Sequence, residues 1–297
     1  MFLRTVLSWA AALASLSEAA TTGSFSILTF NVAGLPAWLN PNDTPGDKET
    51  NAKKIGARLA EHGHDVVHLQ EDFNYHTHIY ETDNHPHRTA TSGGVPFGSG
   101  LNTVANYPWT DFERIKWDDC SLNSGDCLTP KGFTFMRLQL DEGVSIDMYN
   151  LHADAGSDSR DIDARKSNFQ QMADYIAENS VNNAVIVAGD MNFRYTTTDE
   201  GLRGFLDQTG LRDPWVDLVL NGVAPEEGIE ATVCENPTTI NTCETVDKVF
   251  YRGSTSIQLE ATSWSYDSSR FLQANGDTLS DHIPVTTNFT WKLTSSY

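Results

Sequence analysis

The sequence predicts an α+β fold, with two packed, mostly antiparallel β-sheets flanked by helices. Three observations carry this expectation. Short apolar runs of strand length outnumber segments with helical period. Several of these runs follow one another closely enough to pair as hairpins. The helical segments gather their apolar residues on one face, which suits helices lying against a sheet. The chain has 297 residues, 39% of them hydrophobic, enough to bury a sizeable core.

Phe25 to Val32 reads as the first strand. Asp47 to Glu61 reads as a helix, because Ile55 and Leu59 stand four residues apart on one face. Val66 to Leu69 is a short apolar strand, and Leu101 to Asn106 another. Phe133 to Leu140 and Val144 to Leu151 form a candidate hairpin. Ser159 is the expected cap of a helix running to about Ala177, with Ile162, Phe169, Met172 and Ile176 on its buried face. Ala184 to Ala188 reads as a buried strand and Asp199 to Gln208 as a helix. Val246 to Tyr251, Ile257 to Trp264 and Ile283 to Trp291 complete the strands. No internal repeat or long linker divides the chain, so residues 20–297 read as one domain.

The opening residues predict a secretory leader. Arg4 supplies the positive charge, Val6 to Leu16 the short apolar stretch, and Ser17-Glu18-Ala19 the small residues of a cleavage site after Ala19. The four cysteines agree with export. Of the three connectivities, the local one, Cys120–Cys127 with Cys234–Cys243, is the simplest. Each bridge would then close a small loop worth about 2–3 kcal/mol. Asn42-Asp43-Thr44 and Asn288-Phe289-Thr290 are glycosylation sequons, the second inside an expected strand. The net charge of −20 argues against a stable nucleic-acid complex, which relies on cationic neutralisation of phosphates. It does not exclude a nuclease whose metal ion supplies the positive charge. The protein is expected to act as a monomer.

The chemistry gathers where apolar runs end. In Val185-Ile186-Val187-Ala188-Gly189-Asp190-Met191-Asn192 a buried run gives way to two polar side chains two residues apart, which share a side if the segment stays extended. Asn31 ends the first strand, Gln70-Glu71 follows Leu69, and His152 follows Leu151. Asp247 begins a late strand, and Asp281-His282 stands just before Ile283. Any one of these is an ordinary turn or cap residue. Six such sites, bringing carboxylates, amides and imidazoles, are not an ordinary coincidence.

Six segments carry the pattern: Thr29-Phe30-Asn31-Val32, Leu69-Gln70-Glu71, Asn150-Leu151-His152, Gly189-Asp190-Met191-Asn192, Val246-Asp247-Lys248-Val249 and Ser280-Asp281-His282-Ile283-Pro284-Val285. In this order the chain resembles the endonuclease/exonuclease/phosphatase superfamily of metal-dependent phosphoesterases. The resemblance covers nearly all of the chain beyond the leader. It implies a four-layer α/β sandwich with the site at one rim of the two central sheets. It also implies that Glu71, with Asn31 and Asp281, holds Mg²⁺, with Mn²⁺ or Ca²⁺ as alternatives. His282, oriented by Asp247, would take a proton from water. His152 would hydrogen-bond the phosphate or act as general acid. Asp190 and Asn192 would position the water and a phosphate oxygen.

A finer resemblance, to sphingomyelinases, rests on Asn31-Val32-Ala33-Gly34-Leu35-Pro36, on Cys127-Leu128-Thr129-Pro130-Lys131-Gly132-Phe133, and on the Ala164-Arg165 and Gln170-Gln171 pairs of the helix after His152. It implies a secreted phosphodiesterase acting on a phospholipid head group, with transient contact to a membrane surface. A secreted endonuclease, an inositol phosphate phosphatase and an inactive binding module are the alternatives. Basic side chains, which an inositol phosphate would require, are scarce. His76, His78, His85 and His87 are expected as exposed loop histidines rather than a second metal site. Trp38, Trp109, Trp117 and Trp264 are expected in core or rim packing.

Overall fold

The computed structural model describes residues 21–40, 44–123, 125–198 and 201–294. The expected leader, Asn42 of the first sequon and Asp199 lie outside these residues. In chain order the elements begin with β1 (Thr22–Asn31), α1 (Lys48–His62), β2 (Val66–Gln70), α2 (His76–Thr82), β3 (His87–Arg88) and β4 (Asn102–Ala105). They continue with β5 (Trp109–Lys116), β6 (Gly132–Asp141), β7 (Val144–His152), α3 (Ser159–Asn179) and β8 (Val185–Asp190). The last are α4 (Leu202–Thr209), α5 (Pro214–Leu218), β9 (Asp247–Arg252), β10 (Ile257–Tyr266) and β11 (Val285–Leu293).

The strands form a six-stranded sheet in the order β10-β11-β1-β2-β4-β3 and a five-stranded sheet in the order β5-β6-β7-β8-β9. Each sheet has one parallel pair, β1 with β2 and β7 with β8; the other pairings are antiparallel. Strand alternation sorts the side chains of β1 to two layers. Ile27 packs between the sheets, while Leu28 and Phe30 pack on the outer side with Ile55 and Leu59 of α1. Asp47 caps α1 by accepting from Thr50 N at 2.9 Å, and Gly63 ends it in the left-handed region. Truncating Leu59, which is fully buried, would cost about 2–5 kcal/mol. On the far side α3 lays Phe169, Met172 and Ile176 against the second sheet. The result is the expected four-layer sandwich.

Several element ends differ from expectation. The cap of α3 is Asp158 and not Ser159: Asp158 N donates to Asp161 Oδ2 at 3.1 Å, a reciprocal arrangement a serine at the next position does not reproduce. Ile162 lies at the helix entrance and is only half-buried. The helix expected from Asp199 is described from Leu202. The edge strand β5 and helix α2 were not expected. His76 and His78 lie on α2, and His76 Nδ1 meets Asp72 Oδ2 at 2.6 Å. His85 is buried between Asp83 Oδ1 at 2.5 Å and His64 O at 2.6 Å. These are structural histidines, with nearby acids and carbonyls for partners, not exposed loop residues. Trp117 and Trp264 are buried as expected, but Trp38 is 78% exposed. Both expected disulfides are closed. Asn288 is exposed on β11, where its Nδ2 donates to Ser263 Oγ at 2.7 Å.

The space between the sheets changes character along the strands. At one end it is filled by Ile27, Val66, Ala105 and Ile146. Further along, Gln70 Nε2 donates to Thr29 Oγ1 at 3.0 Å and Asn150 Oδ1 at 2.7 Å, while Asn150 Nδ2 donates to Leu69 O and Asn102 O. His68 Nδ1 lies 2.9 Å from Thr103 Oγ1. Burying these groups is tolerable because most of their polar atoms satisfy one another, although Gln70 Oε1 and His68 Nε2 are buried without a hydrogen-bond partner among the described residues. They form a polar floor under the rim where the expected site residues emerge.

Candidate active site

Strand register assembles the site. His152 pairs with Asp190 across β7 and β8, and Asp190 pairs with Asp247 across β8 and β9. Residues on one rung point to the same face, so an imidazole and two carboxylates stand side by side at the rim. The opposite sheet contributes Asn31 at the end of β1, beside Gln70, and His282 just before β11. Gly189 permits the close β7–β8 approach, since a Cβ there would lie 2.1 Å from Leu151 O.

Asp190 stands at the centre. Its Oδ2 is 3.1 Å from Asn31 Nδ2, 3.3 Å from His152 Nε2 and 3.6 Å from His282 Nε2. On the other edge of its ring, His282 Nδ1 faces Asp247 Oδ2 at 2.9 Å and Oδ1 at 3.1 Å. Asn31 Nδ2 also donates to Glu71 Oε1 at 3.2 Å, which joins the expected metal-binding residues to the imidazole pair. Asn192 arrives differently from the extended pair expected. The strand ends at Asp190, and Asn192 turns back in the left-handed region with φ 53°. Its N donates to Asp190 Oδ1 at 3.0 Å and its Nδ2 to Ala153 O at 3.0 Å. Glu71 and Ala33 also adopt positive φ, of 52° and 50°. Non-glycine residues held this way cost roughly 1–3 kcal/mol each and cluster at working sites. Asp281 is exposed at the rim, close enough for its charge to act on Glu71, Asp247 and His282. All eight expected site residues therefore converge on one rim.

The two imidazoles are in opposite electrostatic states. Burial pushes His152 down to about 3, with the Lys131 ammonium adding to the effect, so it is neutral at pH 7. Burial also opposes charge on His282, but Asp247 and Asp190 outweigh it and raise its pKa well above the usual histidine range. Burial lifts Asp247 to about 6, and only its pairing with His282 holds it that low. Burial likewise raises Glu71, against the pull of Lys131.

Lys131, quoted above only as part of the Cys127–Phe133 segment and given no role there, also acts on this rim. Its ammonium contacts Asp126, inside the Cys120–Cys127 loop, and is 12% exposed. Its field reaches Glu71, His152 and Asp190. The available signal was a lone cation just ahead of β6 in a strongly acidic chain.

Asp190, Asp247 and His282 offer ligand atoms within 4.8 Å of one another. His282 is a poor ligand here, because a histidine binds a metal as the neutral imidazole and Asp247 and Asp190 favour its charged form. Glu71 fits better: it is a half-buried carboxylate whose charge a dication would stabilise, next to an amide and further carboxylates. This oxygen-rich set suits a hard cation that keeps part of its water shell. The Asn31 amide now presents nitrogen to Glu71 and oxygen to Ala33 N at 3.0 Å, so ligation through oxygen requires it to turn.

The sequence model of endonuclease/exonuclease/phosphatase family 2 matches residues 15–288. The sphingomyelinase of Mycobacterium tuberculosis (strain ATCC 25618 / H37Rv) is 36% identical over 275 residues, which cover 90% of this chain and 53% of that protein. The chain thus spans about half the length of this relative. Among solved structures, sphingomyelinase C from Streptomyces griseocarneus aligns over 90% of this chain and 99% of its own, with TM-score 0.63 and 18% identity. The beta toxin of Staphylococcus aureus with bound magnesium ions aligns over 89% and 99%, with TM-score 0.61 and 17% identity. D. rerio TDP2 complexed with single strand DNA product aligns over 90% and 98%, with TM-score 0.64 and 15% identity. The structural likenesses establish the fold, and the match along most of the sequence settles the membership: the chain belongs to endonuclease/exonuclease/phosphatase family 2.

Proposed function

We propose that this protein is a Mg²⁺-dependent phosphodiesterase that hydrolyses a phospholipid head group, in a sphingomyelinase-type reaction. The observation that carries the reading is the Asp247–His282–Asp190 array, with His282 Nδ1 anchored on Asp247 and its Nε2 turned to Asp190. The 36% identity to a mycobacterial sphingomyelinase supports the substrate class. Bound at Glu71, with Asn31 and Asp281 nearby, Mg²⁺ would neutralise the phosphoryl oxygens and steady the leaving alkoxide.

The chain's own residues divide the remaining work. With the charge of a bound dication nearby favouring its neutral form, His282 Nε2 would take the proton of a water, and Asp247 holds the ring by accepting from Nδ1–H. Asp190, beside both imidazoles, positions that water together with Asn192. The water oxygen bonds to phosphorus while the bond to the ceramide-side oxygen breaks; that oxygen takes a proton from solvent, phosphocholine leaves, and His282 returns its proton to solvent. His152, neutral through burial, serves a phosphate oxygen as a hydrogen-bond donor better than it serves the leaving group as an acid.

Exposed apolar side chains support contact with a lipid surface. Trp38 is 78% exposed, Phe97 86%, Leu122 77% and Leu128 68%. Trp38 follows β1, Phe97 precedes β4, and Leu122 and Leu128 lie between β5 and β6. All three connections border the strand ends that carry the site. Such side chains at one rim are poor choices for contact with water alone. The charge of −20 favours a zwitterionic surface over an anionic one. Secretion is part of the same reading: two disulfides suit an oxidising compartment, and no described helix is long and apolar enough to cross a membrane.

Endonuclease activity is the second reading, prompted by the likeness to the DNA-bound TDP2 fold. Purified protein assayed in parallel on sphingomyelin vesicles, plasmid DNA and inositol phosphates distinguishes the readings. Phosphocholine release that far exceeds the other two activities is expected. Nicking of DNA without phosphocholine release would replace the first reading with the second.

A further inference from the structure

Asp247 and His282 belong to different sheets: one opens β9, the other precedes β11. Their spacing therefore depends on what ties the two sheets together at this rim. The loop closed by the Cys234–Cys243 disulfide does so. At one end it leads from Cys243 directly toward Asp247. There Lys248 Nζ donates to Glu244 Oε1 at 2.9 Å and Thr245 O at 3.1 Å, and Thr245 Oγ1 donates to Asp247 O at 3.1 Å. Lys248 is itself buried, with its ammonium 5.0 Å from the Tyr195 ring and 5.3 Å from the Trp215 ring. At the other end, Asn236 Nδ2 donates to Ser280 O at 3.0 Å and His282 O at 3.3 Å. Two carbonyl acceptors require an amide nitrogen at that place.

The middle of the loop is also fixed. Tyr266 OH donates to Cys243 O at 2.9 Å, and Trp215 Nε1 donates to Asn241 O at 2.7 Å. A cleft of about 220 Å³ is lined by the loop, through Cys234 and Asn236, together with Asp247 and His282. Loss of the Asn236 hydrogen bonds would leave the His282 carbonyl without this donor and its backbone held through His282 N–H to Ser280 Oγ at 3.2 Å, while Asp247 stays held through Thr245, Glu244 and Lys248.

We propose that Asn236 is a positioning residue, which acts through the disulfide-closed loop to set the Asp247–His282 hydrogen bond. The proposal rests on the reading of His282 as the proton acceptor. It is tested in the full chain with Asn236→Leu, which removes the amide, and Asn236→Asp, which keeps the size and removes the donors. Both are expected to lower kcat by roughly 10- to 100-fold with KM unchanged, the penalty of small misplacement of a catalytic group. Asn236→Gln, which retains the two N–H donors, should recover part of kcat, and Cys234→Ser/Cys243→Ser should show the same kcat-specific loss. Full kcat in Asn236→Asp, or a loss no larger than the loss of folded protein seen by circular dichroism, would overturn the proposal. His282→Ala is assayed alongside. If His282→Ala retains full activity, the catalytic reading fails; if it is inactive while Asn236→Asp is unimpaired, only the positioning role fails.

Discussion

His282 Nδ1 and Asp247 Oδ2 meet at 2.9 Å across the rim of two separate sheets. The carboxylate fixes the ring and stabilises its charged form, and these are the two services a proton acceptor needs from a partner. Asp247→Asn keeps the shape and removes the charge. Its kcat should fall by roughly 10²- to 10⁴-fold, as for other imidazole–carboxylate pairs. Steady-state kinetics on a soluble phosphodiester checks this, and a loss below about threefold would be too small for a proton-acceptor partner.

Lys131, between the disulfide-closed loop and β6, is the cation whose charge acts on Glu71, His152 and Asp190. Its place beside three polar site residues suits a phosphate oxygen better than a structural ion pair alone. Lys131→Met should reduce kcat/KM by about 10- to 100-fold, the scale of one charge-assisted hydrogen bond to a phosphate. Asp126→Asn, which releases the ammonium from its partner, should change KM with little loss of fold. Circular dichroism of both variants separates loss of binding from loss of structure.

Two buried histidines, His68 and His152, are each pushed down to about 3 by burial. Their folded values lie below the unfolded value, so between about pH 6.5 and 3 the unfolded chain binds more protons. Their contribution to stability is complete above pH 6.5 and declines as the pH falls through that window. Asp154, raised to about 7, and Asp213 and Asp247, raised to about 6, act with the opposite sign in this window. The readout is therefore the difference in stability between wild type and His68→Asn, which lies deeper than the site, in urea titrations at pH 7, 6 and 5. That difference should shrink by up to about 1.4 kcal/mol per pH unit as the pH falls. A difference that does not change with pH would mean that His68 is not held neutral.

Trp38 and Phe97 should matter more on a surface than in solution. In Trp38→Ala/Phe97→Ala the ratio of vesicle hydrolysis to soluble-substrate hydrolysis should fall by roughly tenfold or more, since each aromatic buries about 1.5–3 kcal/mol of apolar surface when covered. Flotation with sphingomyelin and phosphatidylcholine vesicles reports binding directly. An unchanged ratio would remove these residues from the membrane-facing rim.

Much of this site was legible because each residue ends or begins an apolar run. Asn31, Glu71, His152, Asp190, Asp247 and His282 could be named from that placement and from their order. Their mutual distances could not. His152, Asp190 and Asp247 share one rung only because β7, β8 and β9 pair in one register, a relation between segments far apart in sequence. The turn of Asn192 into the left-handed region was hidden for a related reason, since it depends on hydrogen bonds to Asp190 and Ala153. Lys131 stood inside the Cys127–Phe133 segment quoted for the sphingomyelinase resemblance, but that segment has no periodicity to say which of its side chains turns to the site. Strand β5 was missed because its exposed edge alternates charge and aromatics without a clear apolar face. The reading of Trp38 as packed failed because aromatic content alone does not say which side of a loop faces outward.

The most direct measurement is phosphocholine release from sphingomyelin vesicles by the purified protein with Mg²⁺, with excess chelator, and for Glu71→Ala and His282→Ala. Release should be strong with Mg²⁺, lost with chelator and restored by added Mg²⁺, and reduced by about 10³-fold or more in both variants, consistent with loss of a metal-held charge or of the proton acceptor. Undiminished release in either folded variant, or in the presence of chelator, would contradict a metal-assisted reaction at this rim.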